Sequence, residues 1–161
     1  MKCLIFSDSH RNTRNMNEAI ARNPDAEVVF FLGDGLSDAE LVSSHMDGAA
    51  WLAVAGNCDA DPSFRGAFVP KTDAITLEGQ RIVLTHGDLY GAKYGVGGLL
   101  ALAKERSADL LLFGHTHEPL ERYEALGEGG VYLFNPGSIG AGSYGVLLLT
   151  EGAILLSHGK I

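Results

Sequence analysis

Short apolar runs, interrupted by small and acidic residues, set the rhythm of this chain. Lys2–Phe6, Glu27–Leu32, Trp51–Ala55, Arg81–Thr85, Asp109–Phe113 and Val131–Phe134 are rich in aliphatic, β-branched or aromatic residues. Each is bounded by Gly, Asp, Asn or Ser, which is how buried strands read. Helical stretches are predicted between them, at about Thr13–Arg22, Ser37–Met46 and Gly98–Arg106. In the last, Leu99, Leu102 and Ala103 recur at helical spacing, and Lys104 and Arg106 suit the negative end of the dipole. Ser37 ahead of Asp38, Ala39 and Glu40 predicts an N-cap with a capping box. Two segments read instead as hairpins. One spans Asp73–Arg81 and turns at Glu78-Gly79-Gln80; the other joins Tyr144–Thr150 to Ala153–Ser157 through Glu151-Gly152. Helices alternating with buried strands, plus hairpins, predict an α/β (α+β) fold: a mixed two-sheet β-sandwich flanked by helices. With no repeat, low-complexity tract or linker, residues 1–161 read as a single domain with no cap domain.

Composition narrows the class. A hydrophobic share of 46% in 161 residues supplies a core without disulfides or structural metals, and excludes disorder. The 21 glycines are almost double the usual share of about 7%, so many backbone positions turn tightly or lie close to a neighbour. A formal net charge of −8, with no basic run, disfavours long nucleic acids. A small phosphorylated substrate stays possible if a local cation reverses the field. The apolar run at Cys3–Phe6 is too short for a signal peptide, and no stretch approaches the ~20 apolar residues of a membrane span. Cys3 and Cys58 make no disulfide framework, so the expected setting is the reducing cytoplasm, away from membranes. The apolar stretches Val146–Leu149 and Ile154–Leu156 leave a homo-oligomer open.

The chemistry lies where the strands end. Their tips carry Asp8 and His10, Asp34, Asn57, His86, and His115 with His117. Ligand sites in α/β sheets sit at the carboxyl ends of strands, so these tips can converge on one edge. Seven oxygen and nitrogen ligands exceed what one catalytic metal needs and suit two metals about 3.5–4 Å apart, bridged by a carboxylate. Four imidazoles argue against Mg²⁺ or Ca²⁺ and favour Mn²⁺, Fe, Zn²⁺, Ni²⁺ or Co²⁺. Two such ions offset by two carboxylates leave a locally positive site, which an anionic phosphate can enter. His45 and His158 read as bystanders.

In order, the segments Asp8-Ser9-His10, Gly33-Asp34, Gly56-Asn57-Cys58-Asp59, His86-Gly87 and Gly114-His115-Thr116-His117 resemble the calcineurin-like metallophosphoesterase superfamily. The likeness is to its small single-domain bacterial and archaeal phosphodiesterase branch; Tyr94-Gly95-Val96 and Asn135-Pro136-Gly137-Ser138 share it. The resemblance implies a β-sandwich in which Asp8, His10 and His117 hold one metal. Asn57, His86 and His115 hold the other, with Asp34 bridging. Manganese is the first expectation for the pair. It also implies hydrolysis of a small phosphodiester by a metal-held hydroxide, with His10, Asp34 and Asn57 as the catalytic set. Two positions depart from the family pattern. Cys58 stands where many larger relatives have a histidine after the ligand Asn, and Arg11 stands where Gly commonly follows the Asp-x-His. Arg11 reads either as a fork for a phosphate oxygen or as a solvent-facing residue. Cys58 reads as substrate-facing or as a small residue packed beneath its loop. Asp59 either orients a ligand histidine or serves a turn with Asp61-Pro62. Asn135 and Ser138 are expected to shape a loop near the site. The competing functions are a phosphomonoesterase or nucleotide pyrophosphatase, a mononuclear hydrolase, and a non-catalytic scaffold resembling the retromer coat subunit of the same fold. A scaffold would be expected to have lost ligands.

Overall fold

Alternation inside the apolar runs builds the layers. In the computed structural model, which describes residues 1–46 and 48–161, one sheet is ordered β12-β11-β1-β2-β3. Its strands are β1 (Lys2–Phe6), β2 (Val28–Phe31), β3 (Ala50–Ala53), β11 (Ser143–Thr150) and β12 (Ala153–Lys160). A second sheet is ordered β6-β7-β8-β10-β9, from β6 (Thr72–Leu77), β7 (Gln80–Thr85), β8 (Leu110–Leu112), β9 (Leu120–Leu126) and β10 (Gly129–Asn135). The parallel register Leu4↔Val29 and Phe6↔Phe31 puts these four side chains on one face. There they meet Met16 and Ala19 of α1 (Thr13–Ala21) and Leu36, Ala39 and Val42 of α2 (Leu36–Ser43). The alternate residues Cys3, Ile5, Val28 and Phe30 face the other way, onto Ile82, Leu84, Leu110, Leu112 and Phe134 between the sheets. Beyond the second sheet, Val83, Leu111 and Leu133 cover Leu99, Leu102 and Ala103 of α3 (Gly97–Glu105). Helix, sheet, sheet, helix is the arrangement that buries both faces of both sheets.

Within this mixed sandwich, β1, β2 and β3 run parallel, as do β7, β8 and β10. All the metal-capable tips follow strands of these two parallel sets. The expected elements are all present, with ends shifted by a few residues and the C-terminal hairpin running on to Lys160. Three strands have no counterpart in the sequence reading. They are β9 and the small ribbon of β4 (Ser63–Phe64) with β5 (Ala67–Phe68). The helix start at Ser37 is corrected: α2 begins at Leu36 after Gly35, and no side chain of the cap residue bonds to it. The carboxylate of Asp59 supplies the cap, accepting from Gly35 N at 2.9 Å and Leu36 N at 3.0 Å. Asp38, read as part of the capping box, accepts instead from Ser9 Oγ at 2.6 Å and Arg11 N at 2.8 Å. No described helix is long and apolar enough to cross a membrane.

Candidate metal centre

The strand tips leave their sheets through unusual backbone. Asp8, His10, Asp34, His115 and His117 all have φ between 45° and 68°, a region that costs L-residues energy. Such conformations persist only where surrounding bonds impose them. Here they do. Asp8 N donates to Gly33 O at 3.0 Å, Ser9 N donates to Asp34 O at 3.1 Å, and Ser138 Oγ donates to Asp8 O at 2.8 Å. Asn135 Nδ2 donates to Gly114 O at 2.9 Å and to Thr116 Oγ1 at 3.0 Å, bracing the loop that carries His115 and His117. Asn135 and Ser138 thus shape the loops, as expected. Two glycines let these tips approach each other. A Cβ on Gly56 would collide with Asp34 Oδ1, and one on Gly114 with Ser7 Oγ.

The side chains so placed form two groups whose ligand atoms are mutually within 4.8 Å. Asp8, His10 and His117 are one; Asp34, His86 and His115 are the other. In the first, Asp8 Oδ1 lies 3.1 Å from His117 Nε2 and 3.8 Å from His10 Nε2, and the two Nε2 atoms are 3.2 Å apart. In the second, His86 Nε2 lies 3.3 Å from Asp34 Oδ2 and 3.2 Å from His115 Nδ1. His86 Nε2 is also 3.9 Å from Asp8 Oδ1, so the groups adjoin. Asp8 supplies the test of whether a cation suits them. Its Oδ2 is satisfied by Ser7 Oγ at 2.6 Å and His115 N at 3.1 Å. Its Oδ1 is fully buried, has no hydrogen-bond partner among the described residues, and points at three ring nitrogens. An unpaired buried carboxylate oxygen is costly, and a cation between it and those nitrogens removes the cost.

Protonation is coupled to ion binding here, because an ion at His86 Nε2 must displace the proton that the carboxylates favour there. His86 Nδ1 lies 2.7 Å from Leu32 O and donates to it, which leaves Nε2 with its lone pair toward the cluster. Burial disfavours the charged ring, but the hydrogen bond to Asp34 and the charges of Asp8 and Asp34 outweigh it and raise the His86 pKa. Burial likewise opposes the Asp34 carboxylate, yet His86 and the Cys58 backbone N–H, 2.8 Å from Oδ1, hold its pKa well below the usual range. For His115, burial and then the charges of His86 and Lys93 lower the pKa, favouring the neutral, coordinating form.

The remaining candidates sit around this pair. Asn57 is exposed on the turn after β3, with Nδ2 3.5 Å from Cys58 Sγ. Cys58 is exposed rather than packed beneath its loop. With Arg11, His10, Asp34 and Asp59 it lines a cavity of about 300 Å³ at the N-terminus of α2. Asp59 is corrected in its partner. It accepts from four backbone N–H groups, those of Asp34 (2.8 Å), Gly35, Leu36 and Gly56 (2.7 Å), and the bonds it makes reach no histidine. It therefore fixes the backbone on either side of Asp34. Sequence reasoning did not single out Ser7 as the partner of Asp8, nor Lys71, whose Nζ donates to Gly56 O at 2.7 Å. Ser7 adjoins a ligand and was open to inspection; Lys71 becomes visible only once the chain is folded. His158 is a packing residue, stacked on Phe134 and bonded to Asn135 O at 2.8 Å.

A two-sheet sandwich whose parallel strands deliver carboxylates and imidazoles to one edge makes a candidate metal centre. The profile of the calcineurin-like phosphoesterase superfamily domain matches residues 1–152, and the chain belongs to that superfamily. It is 37% identical to the phosphodiesterase YfcE of Escherichia coli K12, over 91% of this chain and 87% of that protein. It is 34% identical to the probable metallophosphoesterase YsnB of Bacillus subtilis, over 86% and 75%. Among solved structures, a predicted phosphoesterase of Streptococcus pneumoniae superposes with a TM-score of 0.76 at 25% identity, over 99% of this chain and 88% of that one.

Proposed function

We propose that the chain hydrolyses phosphodiester bonds of a small substrate at a dinuclear divalent metal centre. Asp8, His10 and His117 would hold one ion, and Asn57, His86 and His115 the other, with Asp34 shared. When bound, such ions neutralise the phosphoryl charge and lower the pKa of water toward 7. Manganese heads the expected metals, with Zn, Fe, Ni and Co as alternatives. The single observation that carries the reading is the buried Asp8 Oδ1, without a hydrogen-bond partner among the described residues and facing three ring nitrogens, beside a second carboxylate–imidazole group.

The chain's own groups then divide the work. His10, half exposed beside the cavity at α2, stands where it can meet a phosphate oxygen as well as a cation. The Arg11 guanidinium would pair with a non-bridging oxygen as a planar fork. Asp59 and Ser138 keep Asp34 and Asp8 from shifting as charge develops. Cys58 supplies no imidazolium to protonate a poor leaving group. A diester with a good leaving group is therefore favoured over a monoester or a pyrophosphate. The filled ligand positions favour an enzyme over a scaffold. We place this activity in the reducing cytoplasm, in keeping with the two free thiols.

The test is a pair of assays after manganese loading, on bis-p-nitrophenyl phosphate and on p-nitrophenyl phosphate. Faster diester turnover that collapses in Asp34→Asn supports the proposal. Preferential monoester turnover, or a fully active Asp34→Asn, contradicts it.

A further inference from the structure

Resting on the phosphodiesterase reading above, we propose that a second cavity beside the centre binds the organic group of the substrate, specifically a planar ring esterified to the phosphate. This cavity, of about 560 Å³, lies between the loop that follows His86 and the strand that follows His117. Its apolar surface comes from Val96 on one wall, Pro119 and Leu120 on the other, and Phe113 between them. Lys93 and Arg122 supply positive charge and Glu118 a carboxylate. The volume is in the range of small-molecule sites, which combine apolar walls with a few convergent polar groups.

Position ties the cavity to the chemistry. Thr116 and Glu118, both in its wall, flank His117, and Phe113 precedes the Gly114-His115 tip by one residue. Lys93 lines this cavity and makes no ion pair among the described residues. An ester whose phosphoryl group sits at the histidines would turn its organic arm toward this wall, past Thr116 and Glu118. The cavity at α2 offers no such surface: His10, Arg11, Asp34, Ser37, Asp38 and Asp59 make it polar. Apolar walls select a ring over a chain of hydroxyls, since burying unpaired hydroxyls is costly.

The experiment compares phenylphosphonate with methylphosphonate as inhibitors of bis-p-nitrophenyl phosphate hydrolysis by the manganese-loaded protein. The two share a headgroup and differ only in the ring. In the wild type, phenylphosphonate should inhibit at a concentration roughly tenfold or more below methylphosphonate, the ratio expected from burying a ring. In Val96→Trp, and independently in Leu120→Trp on the opposite wall, that ratio should fall toward one while methylphosphonate inhibits unchanged. The constant methylphosphonate response shows that the variants are folded and that their phosphate site is intact. Equal inhibition by both compounds in the wild type overturns the proposal, as does a ring advantage that survives both variants. Absence of bis-p-nitrophenyl phosphate hydrolysis by the manganese-loaded wild type overturns the phosphodiesterase reading and the subsite with it.

Discussion

Asp59 shows how far one side chain can organise a site without touching a metal ligand's side chain. Its two oxygens take four backbone N–H groups from two loops, which holds Asp34 at its positive φ and caps α2 at once. Asp59→Asn turns one acceptor oxygen into a donor facing N–H groups. We expect activity to fall by about 10- to 100-fold, the usual effect of losing a residue that orients a ligand. Thermal unfolding should show a loss of about 1–2 kcal/mol from the damaged cap. A second prediction concerns the two thiols. Burial pushes the Cys3 pKa up to about 12, and the neighbouring Asp34 raises that of Cys58, so both stay protonated at pH 8. An aromatic disulfide reagent should modify one thiol per native chain, Cys58, at a rate below that of a free cysteine. Both should react once the chain is unfolded in denaturant. Cys58→His carries a third prediction. A histidine at this exposed position beside the cavity would supply an imidazolium to the leaving group and should raise phosphomonoester turnover, measured on p-nitrophenyl phosphate.

Between the strands and their loops lies the reason that so much was legible beforehand. A strand that is buried on both faces reads as a continuous apolar run, so its end is sharply marked in the sequence by the first polar residue. Asp8, Asp34, His86 and His115 each stand at such an end, and parallel pairing carries those ends to one side. The strand β9 was illegible for the opposite reason. Glu121, Arg122 and Tyr123 are exposed, and only pairing with β10 makes them part of a strand. The partner of Asp59 was hidden because side-chain bonds to a distant backbone leave no spacing signal. Tight loop contact has a testable consequence of its own. Gly56→Ala drives a methyl group into Asp34 Oδ1 and should cost most of the metal affinity, whereas Gly129→Ala, with open space around it and no positive φ, should leave metal affinity intact. Isothermal titration with manganese separates the two.

Across the whole molecule, the two sheets form a rigid frame whose apolar interior ends where the charged cluster begins. A chain of net charge −8 gathers the buried carboxylates Asp8 and Asp34 at one edge, among four imidazoles. Divalent ions should therefore stabilise the fold as well as activate it. At a free concentration 100 times its dissociation constant, one ion adds about 2.7 kcal/mol, or roughly 5–10 °C in midpoint for a chain of this size. A chelator should reverse the shift, and Asp8→Asn combined with Asp34→Asn should abolish it. The most direct measurement is anomalous scattering from crystals grown with manganese. Two peaks are expected, one among Asp8, His10 and His117 and one among His86, His115 and Asn57, with Asp34 reaching both. A lone peak, or none among these side chains, would contradict the dinuclear centre.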